Sequence, residues 1–114
     1  YWYHQAQIVS LRDGVSATDR TLWLALLFTE SRYQPWEESE ANCYGLGQLC
    51  GDLRSPDTDA DPVANLKASL GEWMRLLTAN HGDYNAALAQ YKGSTTSDTS
   101  WQPASVWLLV RVTG

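Results

Sequence analysis

Seven apolar residues in a row, Leu22, Trp23, Leu24, Ala25, Leu26, Leu27 and Phe28, lie between Gly14 upstream and Pro35 downstream. At about 100° per residue they circle a helix nearly twice, so a helix built from them is apolar on almost every side. Such a helix cannot sit on a surface, and other elements must surround it. It is also far short of the roughly 20 apolar residues that cross a bilayer. Ser16 and Thr18 are good N-caps, and Asp19 follows Ser16 at capping-box spacing. Pro35 disfavours helical geometry in the residue before it, which stops the helix by Gln34. The strongest feature of the chain is therefore a buried central helix.

The remaining text supplies its covering. Residues 3–12 read as a first helix, with Ile8 and Leu11 on one side and Gly14 placed to end it. Asp61-Pro62 opens another, since Asp caps and Pro suits the first helical position. Val63, Leu66, Leu70, Trp73, Met74 and Leu77 then recur at steps of three and four, a stripe that faces a core. Gly82 closes that helix and Asp83 caps the next, where Tyr84, Ala87, Leu88 and Tyr91 share a face. Residues 103–112 form a last helix, although their valines also suit a strand. Residues 35–62 read as irregular, and residues 93–100 as a mobile Ser/Thr-rich connector. No internal repeat or second domain is visible, so the expected fold is all-α, with at most a minimal β element, in one domain over residues 1–114.

At 114 residues the chain can bury one core with little reserve. Eight basic against thirteen acidic residues give a net charge of -5, without the cationic footprint that nucleic acid requires. The opening Tyr1-Trp2-Tyr3-His4 is not a signal peptide, and a piece of a longer protein or a mature form is expected. Cys43 and Cys50 flank six residues. A disulfide there would add about 2 to 3 kcal/mol and indicate an oxidising compartment; two buried free thiols are the alternative. His4 and His81 fall at no zinc-ligand spacing from the cysteines.

Glu30 follows the apolar run at the end of the central helix, where the helix dipole disfavours a carboxylate. The plain reading is a last-turn glutamate turned into water. Three segments in series argue otherwise: Glu30-Ser31, then Gly45-Leu46-Gly47-Gln48-Leu49, then Ala87-Leu88-Ala89-Gln90-Tyr91-Lys92-Gly93. This series resembles the soluble lytic transglycosylase family and, more distantly, goose-type lysozymes. That family carries a Glu-Ser pair, a Gly-Leu-Met-Gln-Ile/Leu turn and a late Ala-x-Tyr-Asn-x-Gly segment. The likeness spans about residues 18–93.

The resemblance implies a lysozyme-like fold that cuts the peptidoglycan glycan strand between N-acetylmuramic acid and N-acetylglucosamine, without metal or cofactor. It makes Glu30 the catalytic acid and base and Ser31 a substrate or loop contact. Gly45 and Gln48 would shape the groove floor, and Tyr91 would lie near the catalytic carboxyl. Two departures stand out. Gly47 replaces the usual Met, which would widen the groove, and Lys92 replaces Asn with Gly93 one place early. A periplasmic, extracellular or virion-associated setting follows from such a substrate.

The chemistry asks for these residue types on its own account. A proton must reach the leaving oxygen, so a carboxyl group with an ordinary pKa of about 4.3 has to stay neutral near pH 7, which apolar neighbours favour. In the family route the same glutamate then takes a proton from the sugar's 6-hydroxyl, leaving a 1,6-anhydromuramoyl end. Hydrolysis would need a second carboxylate. Glu37, Glu38, Glu40 and Asp52 lie in the long loop as candidates, or as ordinary solvated charges. Trp36, Tyr33 and Tyr44 are aromatic candidates for sugar contacts near Glu30. Trp23 and Trp73 read as core, while Trp101 and Trp107 fit either role. A silent glycan-binding or assembly module is the non-enzymatic alternative.

Overall fold

The computed structural model describes the backbone of residues 1–95 and 103–113, and side chains within that span except at 93–95, 104, 105, 112 and 113. Among the described residues there are six α-helices: α1 (Trp2–Arg12), α2 (Ala17–Ser31), α3 (Pro56–Ala60), α4 (Pro62–Ala79), α5 (Tyr84–Thr95) and α6 (Pro103–Thr113). A 3-10 turn occupies Gly51–Leu53. There is no strand among these residues, only isolated antiparallel bridges that pair Tyr44 with Glu38 and with Leu49. The chain is all-α, as its periodicity requires. No described helix is long and apolar enough to cross a membrane.

Local chemistry sets the helix ends. The Ser16 side chain accepts from the Asp19 amide at the start of α2, and Asp61 accepts from the Val63 amide at the start of α4. Past the end of α2, Arg32 turns left-handed with its amide on the Phe28 carbonyl, three residues before Pro35. Asp83 Oδ1 accepts from the Ala86 amide and opens α5. Two expectations need correcting. The stretch 35–62 holds α3, a short helix closed by a reciprocal Ser55–Thr58 capping box. Helix α5 runs through residues 93–95, the start of the expected connector, because nothing there breaks it as Pro would. The rest of that connector, and Trp101, lie outside the described residues.

Helix α2 is the middle of the molecule, with residues 22–27 all buried. Helices α1 and α6 pack on it, α4 lies against α1 and α5, and α6 also meets α5. Helix α4 contributes Leu66, Leu70, Trp73, Leu76 and Leu77, α5 contributes Ala87, Leu88 and Tyr91, and α6 contributes Val106. The first turn of α2 is pinned from both neighbours: Trp73 Nε1 donates to the Asp19 carbonyl, and the Tyr84 hydroxyl donates to Asp19 Oδ1. Helix α1 turns its smaller residues inward. Ile8 and Leu11 are 40% and 59% exposed, while Ala6, Val9 and Ser10 are buried. Small residues let α1 approach α2 and α4 closely, so the larger ones are left outside.

Candidate active site

In the last two turns of α2, positions 23, 27 and 30 lie at steps of four and three, so Glu30 shares a stripe with Trp23. That stripe meets a hydrogen-bonded chain. Trp23 Nε1 donates to Ser69 Oγ of α4 at 3.0 Å. Ser69 Oγ lies 2.7 Å from the Tyr91 hydroxyl of α5, and that hydroxyl lies 2.7 Å from the Gly47 carbonyl. All four residues are buried. Tyr91 is fully enclosed, and its phenol is pushed far above the usual range, first by burial and then by the negative charge of Glu30. A smaller push comes from Glu72, while the Ser69 hydrogen bond works in the opposite direction. Glu30 itself is half-buried.

The 45–49 turn is fixed against α4 by one side chain. Asn65 Oδ1 accepts from the Gly47 amide, and Asn65 Nδ2 donates to the Tyr44 and Thr58 carbonyls. Gly45 is required here: its φ is +83°, and a Cβ would fall 2.2 Å from Asn65 Nδ2. Gly47 is required for space, since a Cβ would meet Ser69 Cβ at 2.5 Å. The missing side chain at Gly47 therefore faces the packed interior and widens no groove. The Cys43–Cys50 disulfide closes the base of the same turn. Backbone strain collects around it, with Asn42 and Gln48 both at positive φ.

The sequence-derived candidates divide accordingly. Glu30 is linked to Tyr91 electrostatically, its negative charge raising the phenol pKa. Ser31 is buried and its hydroxyl donates to the Leu27 carbonyl, so it serves the helix end. Gln48 is 1% exposed, and its Nε2 donates to the Glu37 and Gly45 carbonyls, so it builds the turn from within. Tyr44 is half-buried with the Arg54 guanidinium 4.9 Å over its ring. Arg54 also pairs with Glu38 at 2.9 Å and Asp59 at 3.0 Å. Glu37, Glu40 and Asp52 are exposed, and so is Trp36, at 57%.

Tyr33 belongs elsewhere. Its hydroxyl donates to the Leu24 carbonyl, and its ring lines an apolar cavity of about 480 Å³ with Tyr3, Leu24, Phe28 and Leu109. Those α2 positions lie on the side of the helix opposite Glu30. Trp107 donates to Asn85 Oδ1.

Four residues of the site were not assigned a site role from sequence: Trp23, Asn65, Ser69 and Glu72. Asn65, Ser69 and Glu72 are polar residues at steps of four and three along α4, all buried, beside the apolar stripe. That polar flank was the available signal. Glu72 is buried, and Arg75 pairs with both of its oxygens from one turn away. No family model matches this chain, and no curated protein or solved structure does.

Proposed function

We propose that the chain is a peptidoglycan lytic transglycosylase that cleaves the β-1,4 bond between N-acetylmuramic acid and N-acetylglucosamine. Glu30 delivers its proton to the leaving glycosidic oxygen as positive charge develops at the muramic C1. The resulting carboxylate then takes the proton of the muramic 6-hydroxyl, whose oxygen closes on C1. One bond breaks, one forms, no water is consumed, and Glu30 ends protonated as it began. The sequence resemblance to soluble lytic transglycosylases supports this reading, since the order Glu-Ser, Gly-Leu-Gly-Gln-Leu, then Ala-Leu-Ala-Gln-Tyr is the order of that family's motifs. The observation that carries it is the convergence of these three segments on one spot, where the Glu30 charge bears on a buried Tyr91 held to the 45–49 turn.

Glu30→Gln tests the reading directly. General acid catalysis contributes about 10²- to 10⁴-fold, so digestion of purified cell walls is expected to fall by that factor. Undiminished release of muropeptides by the variant removes the assignment. A hydrolytic muramidase is the second reading, favoured by one observation: Glu72 is a buried carboxylate within electrostatic reach of Tyr91. Mass spectrometry of the products separates the two, with anhydro ends for the transglycosylase and reducing ends for the hydrolase. Tight wall binding with no released fragments would instead mark a binding module. The substrate reading carries with it a periplasmic, extracellular or virion-associated setting, with which the disulfide is compatible.

A further inference from the structure

Arg20, Leu24 and Phe28 recur at steps of four along α2, and with Ala25 they floor the cavity of about 480 Å³ on the side away from Glu30. From Arg20 to Phe28 that floor runs about 12 Å, the rise of eight helical residues. Its two ends differ in chemistry. At the first, the half-buried Arg20 donates from one nitrogen to the Val15 carbonyl at 3.1 Å, which holds the guanidinium beside the segment that enters α2. The rest of its N–H fork stays available, and no carboxylate pairs with Arg20 among the described residues. At the other end the cavity closes on rings, with Tyr33 lying 5.8 Å from Tyr3 and 6.4 Å from Phe28. Tyr3 and Phe28 keep 43% and 40% of their surface exposed. The other polar groups of the lining are engaged locally. The Thr21 hydroxyl donates to the Ala17 carbonyl, and Gln7 Nε2 donates to the Tyr3 hydroxyl at 3.4 Å.

We propose that this cavity binds an aliphatic monocarboxylate of about ten carbons, its carboxylate on Arg20 and its chain lying along Leu24 and Ala25 to the Phe28–Tyr33 end. Volume, length and charge each select this ligand. The space falls within the range of small-molecule sites, about 300 to 1,000 Å³. An extended carbon chain advances about 1.2 Å per bond, so about ten carbons cover the floor. The lining holds one cation and no acid, and a guanidinium meets a carboxylate through two parallel N–H bonds. The whole chain carries a net charge of -5, so any preference for an anion has to arise locally, at Arg20. A sugar would set hydroxyls without partners against Leu24, Ala25 and Leu109, which costs free energy. The ligand therefore differs in class from a glycan, and the proposal does not rest on the reading of Glu30.

Titration calorimetry of the wild-type chain tests this with decanoate against decyltrimethylammonium, which has the same tail and the opposite charge, both below micelle formation. Decanoate is expected to bind about tenfold more tightly, the contribution of one charge-assisted contact. Equal affinities, or no binding of decanoate, overturn the proposal. From hexanoate to decanoate the affinity should rise by up to about fourfold per added CH₂ and level off by dodecanoate. A rise that continues unbroken to tetradecanoate marks unspecific adsorption and overturns it. Arg20→Gln is expected to lose about tenfold in decanoate affinity. Ala25→Phe, which fills the floor, is expected to weaken binding of both probes, and full retention in either variant overturns the proposal. Amide NMR of the wild-type chain serves if the variants do not fold. Decanoate should shift the signals of Tyr3, Leu24, Ala25 and Phe28, whereas shifts centred on the 45–49 turn overturn the assignment. Sedimentation as a dimer that Ala25→Phe disrupts would assign the face to a second copy of the chain, and also overturns it. No readout uses cell-wall cleavage, so this proposal and the proposed activity fail separately.

Discussion

The two sides of α2 solve opposite problems. Toward Glu30 the helix presents Trp23, whose indole feeds a chain of buried polar groups ending on the 45–49 turn, with no room even for a methyl group at Gly47. On the far side it presents Leu24 and Phe28 to an open apolar space of about 480 Å³ rimmed by Tyr3 and Tyr33. The roomier side is lined by no acid, and on the crowded side Tyr91 lies in the fields of both Glu30 and Glu72. The open space and the candidate site therefore lie on different sides of α2. The candidate site is instead marked by directed hydrogen bonds and by a phenol that feels a carboxylate's charge.

Substitutions can break or sharpen that contrast. The largest expected difference is in activity: Glu30→Gln is expected to lose two to four orders of magnitude in wall digestion, the general-acid contribution, with Tm nearly unchanged. Phe28→Ala on the opposite side should leave digestion intact; an equal loss there would erase the distinction.

Packing gives the next effect. Gly47→Ala forces a Cβ to within 2.5 Å of Ser69 Cβ, and overpacking of this kind is expected to cost about 3 kcal/mol in denaturant unfolding. A near-neutral result would mean that the turn and α4 are not in close contact.

The two tyrosines allow a matched comparison. Tyr91→Phe leaves the buried Gly47 carbonyl without its donor and is expected to cost about 1 to 3 kcal/mol. Tyr33→Phe removes one bond to the Leu24 carbonyl in a half-buried setting and should cost about 1 kcal/mol. Equal losses would argue against a special role for the enclosed phenol.

The pH dependence treats both sides alike. Burial raises both phenols above the ordinary value of about 10, Tyr91 with Glu30 adding to the effect and Tyr33 with Tyr3 adding to it. Below that value both are protonated, folded or unfolded. Above it the unfolded chain loses protons that the folded chain keeps, so stability falls with rising pH. Urea midpoints that hold steady through pH 11 would contradict the burial of these hydroxyls.

The smallest effect belongs to the cavity side. Ala25→Leu adds apolar volume beside Leu24 and Phe28 and is expected to stabilise by up to about 1 kcal/mol, with no change in wall digestion.

Much of this architecture was legible in the chain because its signals are local. Ser16 and Asp61 cap the helices they precede, and the seven apolar residues force α2 inside. Glu30 was singled out for the same reason, as a carboxylate at the end of an apolar helix. The hydrogen bonds of Ser31 and Gln48 were not legible, because a motif names residues without showing where their polar atoms point. Both spend their hydrogen bonds on backbone carbonyls. That Ile8 and Leu11 lie outside was not legible, because apolar spacing shows that residues share a face, not which face meets a neighbour.

The sequence by itself determined an all-helical chain with a buried central helix, its caps, and an acidic residue set where a helix end disfavours charge. Tertiary structure alone decided that Trp23, Ser69, Tyr91 and Gly47 share one hydrogen-bonded chain. Those contacts join positions 46, 22 and 44 residues apart. A helix period reaches only three or four residues along the chain, whereas a hydrogen bond between distant segments exists only once packing has excluded water and brought their atoms within about 3 Å.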